Sequence, residues 1–412
     1  TKLKHQELNE QYISEAPGGL PLLIRAAIYG ANASDKSNLI REMSFMCAMI
    51  LEFSKESQAK ESIPVECFRL STETETQPAY FQIIFYLNGR RYRYGFEIDQ
   101  QRVHAEWLYH TPTKREARLF TREGNQYDIS SGFKEGKGLE KRTRDNALFL
   151  SVVSQWNGNL AMQILEWFRH FNIISGIEDV GYMNFTMQKF KEDEAFQKRV
   201  VAFVQEADVG ISDIQLEETP FKDAELPDEV RAFFEQVVSK REQSQEPPAV
   251  LNVRTMHKKF DADTNRTGWE QFDMAEQESE GTQKVFALSG PLLDTLESGK
   301  SLVIDELEAR LHPLLTRAII KLFNSRQTNP KNAQLIFATH DTNLLSNRLL
   351  RRDQIWFTEK DRYGATDLYS LAEFQQPVRN DASYDKDYFA GKYGAIPFLS
   401  GLSDLFEDRC NG

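Results

Sequence analysis

Apolar positions divide the chain into three regimes. From Leu20 to Tyr29 a short apolar run lies between the Pro17-Gly18-Gly19 turn and Gly30, the pattern of a buried strand bounded by turn signals. Leu39, Ile40, Met43, Met46, Ile50 and Leu51 then recur at helical spacing, so the order predicted is strand, glycine loop, helix. Residues 65–130 read differently. Tyr80 to Leu87 is aromatic and β-branched, and Arg91 to Ile98 and Val103 to Tyr109 alternate as two further strands. Asn88-Gly89 joins the first two as a hairpin, because both residues tolerate positive φ. This predicts an antiparallel meander inserted after the first helix.

Helical text dominates from 145 to 240, with Leu148, Val152, Leu160, Ile164, Leu165 and Phe168 on apolar faces, then Phe190, Phe196, Val200 and Phe203, then Phe233, Phe234, Val237 and Val238. Gln243 to Pro248 reads as a linker, and two strands are expected around Asp261 to Thr267, the second ending near Met274. From Gly281 strands and helices alternate again, with Leu302–Ile304 and Leu335–Ala338 as short apolar runs of the buried parallel kind. Four segments follow: 1–60, 61–144, 145–248 and 249–412.

Composition narrows the classes. A chain of 412 residues predicts two or three units at ~150 residues each. Hydrophobic residues make up 40%, enough to bury a core. The net charge of -12 argues against a general coat for DNA or an anionic membrane, though a local basic groove is compatible with it. Cys47, Cys67 and Cys410 are scattered, which excludes a disulfide framework or zinc knuckle and suits a reducing cytosol. No apolar stretch approaches the ~20 residues of a membrane span, and neither a leader nor a membrane partner is expected.

The chemistry concentrates at strand ends. Gly30-Ala31-Asn32-Ala33-Ser34-Asp35-Lys36-Ser37, followed by Asn38, fits the phosphate-binding loop G-x-x-x-x-G-K-[ST] except at Asp35. Such a loop needs inward N–H groups, a lysine for the β- and γ-phosphates, a hydroxyl for Mg²⁺ and a helix N-terminus; Lys36 and Ser37 supply the middle two. Asp35 stands where glycine is expected, so it is predicted to crowd the loop, set negative charge beside the phosphates and weaken binding. Leu302-Val303-Ile304 runs into Asp305-Glu306, the pattern in which an aspartate serves Mg²⁺ and a glutamate polarises the attacking water. Leu335 to Ala338 ends in Thr339-His340, where an imidazole can contact the γ-phosphate. Glu278-Ser279-Glu280-Gly281-Thr282-Gln283 opens a helix and resembles the ABC-type signature in its Ser and Gly, a resemblance that implies Ser279 and Gly281 facing a nucleotide held by another subunit. Each string alone also fits a bland structure: an ordinary loop, an acidic turn, a structural histidine, a capped helix. Their order on the expected elements is what gives them weight.

Asn32, the Ser-x-Gly-Thr-Gln string, Asp305-Glu306-Leu307 with Leu311-His312-Pro313, and Thr339-His340-Asp341 resemble the ABC/SMC-type AAA ATPases. The nearest resemblance is to the RloA-like, OLD/SMC-related group of abortive-infection and anti-phage defence. Leu368-Tyr369-Ser370-Leu371, Val378-Arg379 and Tyr393 to Phe398 resemble that family's tail. Glu308 and Arg310 depart from the usual residues of the stretch after the acidic pair, as Asp35 does in the loop. The family pattern also has a strand that would precede residue 1. The resemblance implies an α/β P-loop NTPase head with a mixed sheet, an antiparallel β lobe and an inserted helical arm. It further implies ATP and Mg²⁺ as cofactors, Glu306, His340 and Lys36 in hydrolysis, Ser37 and Asp305 at the metal, and a homodimer or larger assembly controlling a separate nuclease or toxin in the cytoplasm. Two alternatives stay open. One is a DNA-clamping relative using Arg90, Arg91, Arg93, Lys141, Arg142 and Arg144; the other is a nucleotide-binding scaffold without turnover.

Overall fold

The computed structural model describes residues 13–16, 19–32, 34–56, 58, 60–207, 209–221, 231, 249–374 and 383–397. Ala33, the helical text and linker between 232 and 248, Val378-Arg379 and Phe398 lie outside the described residues.

The apolar run at 20–29 is two strands, not one. After β1 (Ile13–Ala16), β2 (Leu20–Leu23) pairs antiparallel with it, and the chain bends at Ile24 before β3 (Arg25–Gly30) enters a different sheet. Helix α1 (Lys36–Ala48) follows and continues as a π-helical turn over Met49–Phe53. The meander is β4 (Ala79–Leu87), β5 (Arg90–Ile98), β6 (Val103–Thr111), β7 (Ala117–Glu123) and β8 (Gln126–Ile129), five antiparallel strands in chain order. Asn88 and Gly89 have φ of 50° and 76°, the left-handed pair that a tight hairpin requires. Helices α2 (Phe149–Gln155) and α3 (Asn159–Arg169) close the aromatic core of this lobe around Phe85, Tyr94, Phe96, Phe120 and Phe168.

The stretch expected to be helical also holds strands. β9 (Phe171–Ser175) follows α3, and β10 (Asp213–Pro220) follows α4 (Val180–Glu192) and α5 (Glu194–Glu206). β10 pairs with β11 (Ala249–Phe260), which pairs with β12 (Arg266–Asp273), all antiparallel. Helix α6 (Glu280–Ser298), β13 (Ser301–Asp305), α7 (Pro313–Leu322), β14 (Gln334–Ala338), β15 (Ile355–Lys360), β16 (Thr366–Ser370) and α8 (Tyr384–Phe389) complete the order.

Six strands form the sheet that carries the candidate site, in the order β16-β15-β3-β14-β13-β9. All pair in parallel except β15 with β16. β3 is therefore central and one strand away from β13, so the ends of the loop strand, the acidic strand and the histidine strand lie side by side. Ile28, Ile40, Val303 and Ala338 are buried where α1 covers the sheet; at roughly 1.5–3 kcal/mol for each large side chain, this packing fixes the helix over the strand ends.

Two compact units emerge. One comprises Thr1–Gly176, Leu296–Glu308 and Arg317–Gly412; the other Ile177–Thr295 and Ala309–Thr316. Residues 145–176, placed with the insertion by the sequence, thus group with the sheet and the β lobe, and 249–295 with the insertion. The insertion adds the three-stranded sheet to its helices. Within it, Thr186 donates to the Ala287 carbonyl at 2.7 Å, and a Cβ on Gly290 would lie 2.0 Å from the Thr186 hydroxyl, so α4 and α6 meet at backbone distance. No helix among the described residues is long and apolar enough to cross a membrane.

Candidate functional site

The loop 30–37 is held at both ends. A Cβ on Gly30 would fall 2.3 Å from Ser34 Oγ and 2.4 Å from Thr358 Oγ1, so only glycine fits there. Ser34 and Thr358 share a hydrogen bond of 2.8 Å, and the Ser34 N–H donates to the Ala31 carbonyl at 3.1 Å. Asp35 has φ 65° and ψ 27°, the left-handed conformation that explains the usual glycine and that aspartate visits more readily than most residues. The Asp35 carboxylate has partners on both oxygens. Asp35 Oδ1 accepts from Asn38 at 2.9 Å, and Oδ2 accepts from Thr366 Oγ1 at 2.8 Å and pairs with Lys360 Nζ at 2.9 Å.

Lys36 is buried and donates to the carbonyls of Gly30 at 2.7 Å and Ala31 at 3.2 Å. Burial holds its ammonium below the ordinary lysine value, while Asp305, Glu308 and Glu306 pull the other way. The loop opens on a cavity of about 300 Å³ lined by Asn32, Ser34, Asp35, Lys36, Ser37, Asn38 and Arg41 from one side and by Glu306 and His340 from the other. Arg41 was not singled out from the sequence. Its position four residues after Ser37, hence on the same helix face, is the signal that could have found it.

The acidic turn is set by close backbone contact. Glu306 has φ 53°, and the Gly176 N–H donates to the Asp305 carbonyl at 2.6 Å. The Leu307 N–H donates to the Ala338 carbonyl at 3.2 Å, and the Thr339 N–H to the Ile28 carbonyl at 3.1 Å. Glu308, met in the sequence only as a departure, accepts the His340 backbone N–H at 2.6 Å and so links the acidic turn to the histidine. The His340 imidazole is held below its ordinary value, first by desolvation and then by Lys36, against Glu308, Glu306 and Asp305.

Mg²⁺ fits these residues. Asp305 Oδ1 is buried without a hydrogen-bond partner, and Ser37 lines the cavity. No group of three or more His, Cys, Asp or Glu among the described residues forms a metal cage.

Ser279 and Gly281 belong to the second unit. Ser279 caps α6, accepting the Thr282 N–H at 3.2 Å and sharing a 2.9 Å hydrogen bond with the Thr282 hydroxyl. A Cβ on Gly281 would approach the Arg310 carbonyl to 3.1 Å. Arg310, with φ 60°, pairs with Asp179 at 2.8 Å. The tail sequence supports the sheet from behind: Tyr369 donates to the Tyr393 carbonyl at 2.8 Å, Tyr388 to the Ala395 carbonyl at 2.9 Å, and Phe357 stacks on Tyr388. Four arginines of the DNA-clamp reading have partners within the chain: Arg93 pairs with Glu116, Arg91 with Thr111, Arg142 covers Trp156, and Arg144 donates to the Ser54 carbonyl.

Residues 25–346 match the family model described as "AAA domain, putative AbiEii toxin, Type IV TA system". No curated protein matches the chain. Among solved structures, that of cbiO1 from Clostridium perfringens, described as part of the ABC transporter complex cbiONQ, is similar at 13% identity over 91% of this chain and 84% of that one, with a TM-score of 0.27. The family match spans most of the chain and includes β3, the loop, the acidic turn and His340; the chain belongs to this AAA-domain family of P-loop ATPases.

Proposed function

We propose that this protein is an ATP-hydrolysing switch subunit of a prokaryotic anti-phage defence system of the abortive-infection or toxin–antitoxin kind. It dimerises around ATP and controls a separately encoded effector, a nuclease or toxin. One observation carries the enzymatic part: a buried Lys36 lines the same polar cavity of about 300 Å³ as Glu306 and His340. The family description, which names a toxin, supports the biological part.

Each residue then has a task. Two of the three N–H donors of Lys36 go to Gly30 and Ala31, which aims the ammonium across the loop at the β- and γ-phosphates. Ser37 and Asp305 would hold Mg²⁺, which when bound would supply positive charge to offset that of the phosphates. Glu306 orients a water for in-line attack on the γ-phosphorus and takes its proton as the bond to the bridging oxygen breaks and ADP leaves. His340 donates to a γ-phosphate oxygen.

Glu306→Gln should keep ATP affinity within about threefold and lower phosphate release by about 10²–10⁴, the usual range for a positioned base. Phosphate release at the wild-type rate would remove Glu306 from the reaction. Lys36→Ala should abolish calorimetrically detectable ATP binding.

A further inference from the structure

The β15–β16 hairpin touches the loop twice. Thr358 stands opposite Gly30 in the parallel register of β15 and β3 and bonds to Ser34. Lys360, two residues on and therefore on the same face of the strand, has Thr366 as its cross-strand partner. Lys360 and Thr366 converge on one carboxylate oxygen of Asp35, at 2.9 and 2.8 Å, and Asn38 takes the other. Asp35 is the one position of the loop motif where this chain departs from glycine, and its backbone is left-handed there.

We propose that Lys360 and Thr366 are positioning residues for the nucleotide site, acting through Asp35: the hairpin clamps the left-handed residue of the loop and neutralises its charge. This rests on the reading of the loop as a nucleotide site. A glycine would reach the same backbone conformation without strain but with nothing to hold it. An aspartate reaches it at some cost and is then pinned by two donors from the neighbouring hairpin. The clamp also turns an unfavourable charge beside the phosphates into one half of an ion pair. The hairpin is itself braced, because the Tyr369 hydroxyl lies within hydrogen-bond distance of the Glu359 carboxylate, at 3.1 Å, and of the Tyr393 carbonyl, at 2.8 Å, with one proton to give to either. A path of direct contacts therefore runs from the tail at 393 to the loop at 35.

The test is a four-protein cycle of wild type, Lys360→Met, Asp35→Asn and the double variant. Asparagine keeps the tolerance for a left-handed backbone and removes the charge. Titration with ATP and Mg²⁺ should show Lys360→Met weakening binding about tenfold in the wild-type background and by less than twofold beside Asp35→Asn. Lys360→Arg should restore most of the loss. Equal effects of Lys360→Met in both backgrounds, or none in either, would overturn the proposal. Hydrogen exchange of the amides at 31–37, measured without nucleotide, separates this from failure of the nucleotide reading. Lys360→Met should speed that exchange at least fivefold only when Asp35 is present, whether or not ATP binds; unchanged exchange would reject the clamp.

Discussion

Gly176 shows how one missing Cβ shapes the candidate reaction. It follows β9, and a Cβ there would stand 1.9 Å from the Glu306 carbonyl oxygen and 2.6 Å from that of Asp305. Those atoms are backbone, so the turn itself would have to move. Gly176→Ala should therefore lower phosphate release at least tenfold while changing ATP affinity much less, because the loop contacts of Lys36 and Ser34 are untouched. Parallel steady-state and calorimetric measurements check the split; unaltered turnover would mean that the turn yields harmlessly. His340 offers a pH test. Its folded-state value is depressed by desolvation and by Lys36, against the pull of Glu308, Glu306 and Asp305. The unfolded chain takes up this proton near pH 6.5, so the folded state loses stability as the pH falls through that value. The melting temperature of His340→Gln should drop less than that of wild type between pH 7.5 and 5.5; parallel curves would show that His340 titrates alike in both states.

At the scale of elements, the β lobe is tied to α2 by a buried acid that the reaction does not use. Glu106 accepts from the Phe149 and Leu150 backbone N–H groups at 2.6 and 2.9 Å and from Tyr94 at 2.9 Å, with Arg122 at 3.8 Å. Burial pushes its carboxyl up, while Arg122 and the three donors pull it back. Glu106→Ala would leave Arg122 uncompensated and two helix donors unmet, a loss of about 3–5 kcal/mol. Urea unfolding checks it, and a cost under about 1 kcal/mol would show that water replaces the carboxylate. None of this is legible in the sequence, where Glu106 is one polar residue in an alternating strand. What is legible is local. β4, β5, the Asn88-Gly89 turn, α1, β13 and β14 were all readable because period and turn chemistry are carried within each segment. β9 and β10 were not: Phe171–Ser175 is too short to be told from the helical text around it, and it becomes a strand only by pairing with β13. The site divides in the same way. Lys36, Ser37, Asp305, Glu306 and His340 stand in recognisable strings, whereas Thr358, Lys360 and Thr366 lie more than 300 residues from the loop they touch. Only the pairing of β15 with β3 brings them there.

At the scale of the whole molecule, the proposed switch requires that ATP join two copies. The string at 279–283 caps α6 on the second unit, with Ser279 exposed at the helix N-terminus. A helix N-terminus favours a phosphate through its unpaired N–H groups and dipole. In the proposed arrangement it serves the nucleotide bound to the partner's loop, so each of two sites takes Lys36 from one copy and Ser279 from the other. That arrangement makes a sharp prediction. Lys36→Ala protein alone and Ser279→Arg protein alone should both be inactive, since neither can assemble an intact shared site. A mixed dimer, formed by combining the two variants with ATP present, places both changes in one site and leaves the other with an intact Lys36 and an intact Ser279. Its turnover should approach half that of wild type, and sedimentation should show the dimer only with ATP present. If each chain instead completed its own site, every site in the mixed dimer would carry one lesion. Inactivity of verified mixed dimers would therefore reject sites shared between copies, while leaving the assignments of Lys36 and Glu306 to their own tests.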